Sequence, residues 1–121
     1  MTPEEHLAAF CSGIGLAVDA PRVAEMLREF VPGPAPTVAL FEEASGPVLM
    51  RGIPFHSLCE HHMLPFFGTI DVAYRPVGKV VGLGGIPRVI QWLSRRPTLQ
   101  ERLGQMVVDD LRARTGAETV Q

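Results

Sequence analysis

Four consecutive residues, Cys59-Glu60-His61-His62, set a thiol, a carboxylate and two imidazoles side by side. They lie within Ser57-Leu58-Cys59-Glu60-His61-His62-Met63-Leu64-Pro65-Phe66-Phe67-Gly68, between two apolar runs that read as strands. Thiolate and imidazole are the usual ligands of zinc, and a further imidazole nearby can move protons. The Cys-x-x-His spacing from Cys59 to His62 lets both side chains reach one ion from a single turn. A catalytic zinc takes three protein ligands and keeps one position open, and this cluster supplies two. A purely structural reading stands beside it, because buried free cysteines and hydrogen-bonded core histidines are common. His56 would extend the pattern to His56-x-x-Cys59-x-x-His62, but Pro54, Phe55 and Leu58 predict extended backbone, where residues three apart face opposite ways. His61 remains as a proton donor or acceptor beside the pair, or as a surface histidine. Glu60 either supports a ligand or is solvated.

Three weaker signals accompany the cluster. Gly82-Leu83-Gly84-Gly85 precedes a predicted helix, and a helix start can cradle an anion. Pro87 removes one N–H donor there, while Arg88 opposes the helix dipole unless an anion relieves it. Ser94-Arg95-Arg96 offers another anion contact, although arginines near a helix C-terminus already complement the dipole. Gln100-Glu101 could face a purine edge. Thr98 followed three residues later by Glu101 also has the form of a capping box, which predicts a helix start at Thr98.

The elements that must position these residues are legible from periodicity. Leu7, Phe10, Cys11 and Ile14 form one stripe of a helix over residues 3 to about 15. A second helix is predicted from Pro21, with Val23, Met26, Leu27 and Phe30 at the same spacing. Pro32, Gly33, Pro34 and Pro36 end it and make a linker. Short β-type runs follow at 38–41 and 48–55, separated by a turn over Glu42-Glu43-Ala44-Ser45-Gly46-Pro47. Ile70, Val72 and Tyr74 alternate with Thr69, Asp71 and Ala73, as in a half-buried antiparallel strand. After a turn at 76–79 and a strand at 80–83 come two helices. Pro87 opens the first, which buries Ile86, Val89, Ile90 and Leu93. Leu99, Leu103, Met106, Val107 and Leu111 line the second, and Gly116 is placed to end it in a left-handed cap. Glu118-Thr119-Val120-Gln121 reads as the beginning of a further strand. A sheet carrying a helix pair on one face should have strands after that pair as well as before it, so the last strands of the domain are expected to be absent.

Bulk properties narrow the class. The chain has 121 residues, 46% apolar and 20% charged, with a net charge of −2. That composition fits a folded domain rather than a disordered one. The charge gives no electrostatic case for nucleic acid or an anionic membrane. No apolar run has the length of a membrane span and no leader opens the chain, so a cytoplasmic protein is expected. Cys11 reads as a helix core residue and Cys59 as a ligand, so no disulfide is expected between them.

Taken in order, several segments resemble the GTP cyclohydrolase I family. They are Cys59 to Gly68, the Val81-Gly82-Leu83 strand end, and Ser94-Arg95-Arg96-Pro97 leading into Leu99-Gln100-Glu101-Arg102-Leu103. Asp19-Ala20-Pro21-Arg22-Val23-Ala24 is similar to an early Asp-Thr-Pro-x-Arg-Val-Ala segment of that family. The resemblance implies an α+β tunnelling fold, an antiparallel sheet with two helices on one face, assembled into homo-oligomeric rings. In domain terms it implies an N-terminal helical segment and linker over 1–36 and a partial catalytic domain over 37–121. It also implies zinc-dependent hydrolytic opening of the guanine imidazole ring of GTP, giving formate and 7,8-dihydroneopterin triphosphate at the head of folate and pterin biosynthesis. Carried over by position, Cys59 and His62 resemble the zinc ligands and His61 a catalytic histidine. Gln100 and Glu101 resemble the guanine-recognising pair, and Arg88 an arginine on the triphosphate.

Two departures qualify the expectation. Gly84-Gly85 stands where the family has Ser-Lys, and the family's third zinc ligand and second catalytic histidine fall beyond Gln121. Two alternatives follow: a catalytically inactive short paralogue serving assembly or binding, and a cyclohydrolase-like enzyme on another purine nucleotide.

Overall fold

A computed structural model describes residues 1–42 and 46–121, so the turn expected over 42–47 lies partly outside the described residues. The chain divides into two compact units, Met1–Val31 and Pro32–Gln121.

The first unit is a helical pair, α1 (Pro3–Gly13) and α2 (Ala20–Arg28). Thr2 and Glu5 close a reciprocal capping box at the start of α1. Asp19 accepts from the Arg22 amide at the start of α2. Arg28 pairs with Glu4 across the two helices, and its hydrogen bond holds the Glu4 carboxyl below the usual carboxylate range. Within α1 the predicted stripe is only partly covered. Cys11 is buried, whereas Phe10 is 65% exposed. Two short helices bury a single seam between them and leave the flanks of each stripe open.

The second unit is α+β. Its elements run β1 (Leu40–Phe41), β2 (Val48–Cys59), β3 (Pro65–Tyr74), β4 (Val80–Val81), α3 (Gly85–Ser94), β5 (Pro97–Thr98) and α4 (Gln100–Thr115). Strands β2 and β3 form a long antiparallel hairpin, from Val48 opposite Tyr74 to Leu58 opposite Pro65. A bulge between Met50 and Ile53 is turned by Gly52, whose positive φ of 69° suits a residue without a Cβ. The Asp71 carboxylate accepts from the Gly52 amide there. On the other side of β2, β5 adds in parallel at Leu58 and Cys59. Val120 bridges to Tyr74 at the opposite edge, flanked by paired bonds between Ala73 and Gln121. The predicted strand at 118–121 therefore pairs with β3. β1 and β4 make a separate two-stranded sheet.

One core joins the hairpin and the helices. Ile53, Val72 and Tyr74 from the strands meet Ile86, Val89, Ile90 and Leu93 of α3 and Leu103, Val107 and Leu111 of α4. The alternation and the helical stripes read from the sequence are the ones buried, and α3 and α4 cover one face of the sheet as expected. α4 ends at Gly116, left-handed at φ 71°, as its position predicts.

Both helix starts differ from expectation. α3 begins at Gly85, not Pro87, because the chain packs there closely enough to demand glycine. A Cβ on Gly85 would lie 2.8 Å from Val81 Cγ1 and 3.0 Å from Val38 Cβ. Pro87 then falls within the first turn, where its missing N–H would have had no intrahelical partner. α4 begins at Gln100, and the capping box at Thr98 does not form. Leu99 is the N-cap, in extended conformation and with no side-chain bond. The Thr98 hydroxyl is engaged elsewhere.

Its partner is Ser57, which is fully buried. The Ser57 hydroxyl donates to Arg96 O at 2.9 Å and, having one proton, accepts from Thr98 Oγ1 at 2.7 Å. Removing it strands a buried carbonyl and a buried hydroxyl together. Ser57→Ala should therefore lower unfolding stability by about 1–3 kcal/mol in urea titrations, and an unchanged midpoint for the alanine variant would discount the bond.

Candidate active site

The hairpin end and the start of α4 meet around β5. β2 delivers Cys59 as its last residue, and residues 60–64 form the connection to β3. Cys59 N donates to Leu64 O and Met63 N to Cys59 O, both at 2.8 Å, so the loop closes on Cys59 at both ends. Met63 holds a left-handed φ of 56°, a conformation that usually belongs to glycine. This tight return brings His62 back over Cys59, with Sγ and Nδ1 3.7 Å apart. β5 runs beside the same residue, pairing Thr98 with Cys59, and Glu60 N donates to Thr98 O at 3.0 Å. One residue later the chain enters α4. Gln100 and Glu101 are thereby carried to within reach of the hairpin loop.

Between them lies an open cleft of about 550 Å³. Cys59, His61 and Phe66 line it from the hairpin; Thr98, Leu99, Gln100 and Glu101 line it from the β5–α4 side. Phe66 and Leu99 give it apolar surface suited to the faces of a flat ring. The Glu101 carboxylate and the Gln100 amide have no hydrogen-bond partner among the described residues, so their bonding capacity is available to a ligand. The two histidines face different ways. His62 turns its Nδ1 to Cys59, while His61 faces the cleft, its ring nearly perpendicular to that of His62 at a centroid distance of 6.1 Å.

Do these residues fit zinc? Two ligands of one tetrahedral ion, with Zn–S about 2.3 Å and Zn–N about 2.0–2.1 Å, lie roughly 3.6 Å apart. The observed 3.7 Å between Cys59 and His62 matches that separation. No group of three metal-binding side chains occurs among the described residues, so the pair matches at most two ligands of a set and not the whole.

Arg88, the remaining predicted site residue, and His56, which the extended backbone had argued against as a ligand, lie elsewhere. His56 is in β2 opposite Phe67, on the face away from Cys59, and lines a different depression with Gln91 and Arg95. Arg88 is exposed in the first turn of α3 and does not line the cleft. Gly85 is closed by Val81 and Val38, which leaves no room for a side chain at that point of the helix start. Sequence reasoning missed Phe66, Thr98 and Leu99 as cleft residues. It also missed the ion pair of Glu60 with Arg102, at 2.6 Å, which joins positions 42 residues apart. Only the loop-to-strand order of β5 could have signalled it, and a two-residue strand leaves no periodicity to read.

Comparison with known proteins gives the family. The family model for GTP cyclohydrolase I matches residues 12–121. A GTP cyclohydrolase 1 of Hyperthermus butylicus is 44% identical over 108 residues, covering 88% of this chain and 56% of the relative. That of Leifsonia xyli is 42% identical over 114 residues, covering 88% and 60%. That of Campylobacter lari reaches 49% over 83 residues, covering 68% and 44%. The chain thus spans about half the length of the curated relatives it matches, from 44% to 60% in these three. No helix among the described residues is long and apolar enough to cross a membrane. With the family model matched over residues 12–121 and relatives 42% and 44% identical over most of its length, the chain belongs to the GTP cyclohydrolase I family.

Proposed function

We propose that this cleft is the guanine- and metal-facing part of a GTP cyclohydrolase I site, hydrolysing the imidazole ring of GTP to release formate and yield 7,8-dihydroneopterin triphosphate. One observation carries the proposal: the Cys59–His62 pair, spaced for one zinc ion, borders the same cleft as Gln100 and Glu101. Cys59 and His62 would hold the zinc together with a third ligand from outside this set. When bound, zinc supplies Lewis-acid activation of water for attack on the purine. His61 faces the cleft beside that pair, and its imidazole would move a proton to or from the ring as it opens. Glu101 would accept from the N1–H and amino group of guanine, with Gln100 bonding the neighbouring edge. Phe66 and Leu99 would cover the ring faces and keep bulk water off the base. On this basis residues 37–121 are part of a catalytic domain, the assembly is a homo-oligomeric ring in the cytoplasm, and the product feeds folate and pterin synthesis.

A second possibility has an observation of its own. Gly85 admits no side chain and Arg88 stands outside the cleft, so neither of these two positions offers a side chain to a triphosphate from within the cleft. A purine nucleotide with a shorter phosphate tail would need no such contact. The two separate in one assay of the intact, zinc-loaded protein, with formate followed from GTP, GDP and GMP. GTP should have the highest kcat/KM by about tenfold or more if its phosphates are gripped in the assembly. Equal values for the three would transfer the substrate assignment to guanine nucleotides generally, and no formate from any of them would end the proposal.

A further inference from the structure

We infer that Glu60 and Arg102 are positioning residues, an ion-paired clasp holding the guanine-facing start of α4 against the metal-facing loop; this rests on the function proposed above. Glu60 stands between Cys59 and His61, and Arg102 directly follows Gln100 and Glu101. Each side of the cleft therefore contributes one member of the pair from within its own functional segment. Arg102 Nη2 donates to Glu60 Oε1 at 2.6 Å. Neither residue is among those lining the cleft, so the pair acts through its neighbours. Behind it, Glu60 N to Thr98 O and the Ser57–Thr98 hydroxyl bond fix the chain as far as Thr98. Past that point Leu99 caps α4 without a side-chain bond. The clasp is the side-chain link that ties the first turn of α4 to the loop.

Exposure argues that its role is not stability. The Arg102 side chain is 61% exposed, and ion pairs so solvated add little to folding. Placement is another matter, because a small displacement of groups that must act together on one ring is costly in rate. Freed of the clasp, Glu101 would still bind guanine but would present C8 poorly to the Cys59–His61 side. The loss should fall on kcat rather than KM.

A double-mutant cycle in the intact protein tests this, using Glu60→Gln, Arg102→Gln and the double variant. Formate release from GTP, zinc content and thermal unfolding are measured on each. Each single change should lower kcat about 10–100-fold, with KM nearly unchanged. Zinc content and melting temperature should hold in all three. The double variant should be no slower than the slower single, because both remove one interaction. Arg102→Lys, which keeps the charge, should recover part of the loss. Losses that multiply in the double variant, a rise in KM at constant kcat, or single variants within about twofold of wild type would each overturn the clasp. A wild-type protein that releases no formate from GTP sinks the parent proposal and this one together, whereas an active wild type with multiplied losses sinks the clasp alone.

Discussion

Replacing Glu101 by glutamine should lower kcat/KM for GTP by about 10³–10⁴-fold, the penalty for leaving a buried polar edge of the base unpaired. In the proposed site the carboxylate would offer acceptors to both the N1–H and the amino group of guanine. A glutamine amide presents one acceptor and turns a donor toward one of those donors. Stability should barely change. The capping box that would have given Glu101 a structural duty does not form, since Leu99 is the N-cap and Thr98 bonds to Ser57. What remains is the carboxylate's interaction with the helix dipole, about 0.3–1 kcal/mol at an exposed position. Steady-state GTP kinetics and thermal unfolding on the same variant separate the two roles. A sharply lower melting temperature with intact kinetics would reduce Glu101 to a helix-start residue and remove the main support for guanine.

Cys59→Ser should cost the intact protein most of its zinc and essentially all turnover. A serine hydroxyl does not ionise at neutral pH and is a poor zinc ligand, whereas the thiolate is among the strongest. His62→Ala should behave alike, because the two atoms stand at the separation of ligands to one ion. His56→Ala should retain zinc, since its strand position turns it to the opposite face. Metal content by elemental analysis, with protein concentration measured in parallel, reads all three. Zinc kept in Cys59→Ser but lost in His56→Ala would reverse the ligand assignment.

Much of the fold was legible because it rests on periodicity. The alternation through Ile70, Val72 and Tyr74, and the stripes through Val89 and Leu93 and through Leu103, Val107 and Leu111, are the contacts that build the core. Element starts were less so, and each error has a local cause. At Gly85 close packing against Val81 and Val38 admits helix two residues before the proline that sequence rules favour. At Thr98 a tertiary hydrogen bond to Ser57 outcompetes capping. The contacts of Gly85 with Val38 and of Thr98 with Ser57 cross long sequence separation, which no short window of residues records.

The site divides in the same way. Cys59 and His62 are three apart, so a turn suffices to bring them together and spacing alone could raise the idea. Gln100 and Glu101 join them only through β5, a two-residue strand; the residue types had raised a purine edge, but only the resemblance linked it to the cluster. Arg88 was named by resemblance as well, yet its place in the first turn of α3 leaves it outside the cleft. Local chemistry was therefore readable, and the partnership between the two halves of the cleft was not.

A metal and a guanine base held by the two halves of one cleft can be seen together in one spectroscopic titration. Cobalt(II) substituted for zinc in the intact protein reports a thiolate ligand by charge transfer and the coordination environment by its visible bands. Wild-type protein should show the thiolate band, Cys59→Ser should lack it, and saturating GTP should shift the visible bands of the wild type. Glu101→Gln should need far more GTP to produce the same shift, because the base would no longer be held in the cleft beside the metal. A thiolate band that persists in Cys59→Ser, or wild-type bands unmoved by saturating GTP, would contradict a shared metal and guanine site.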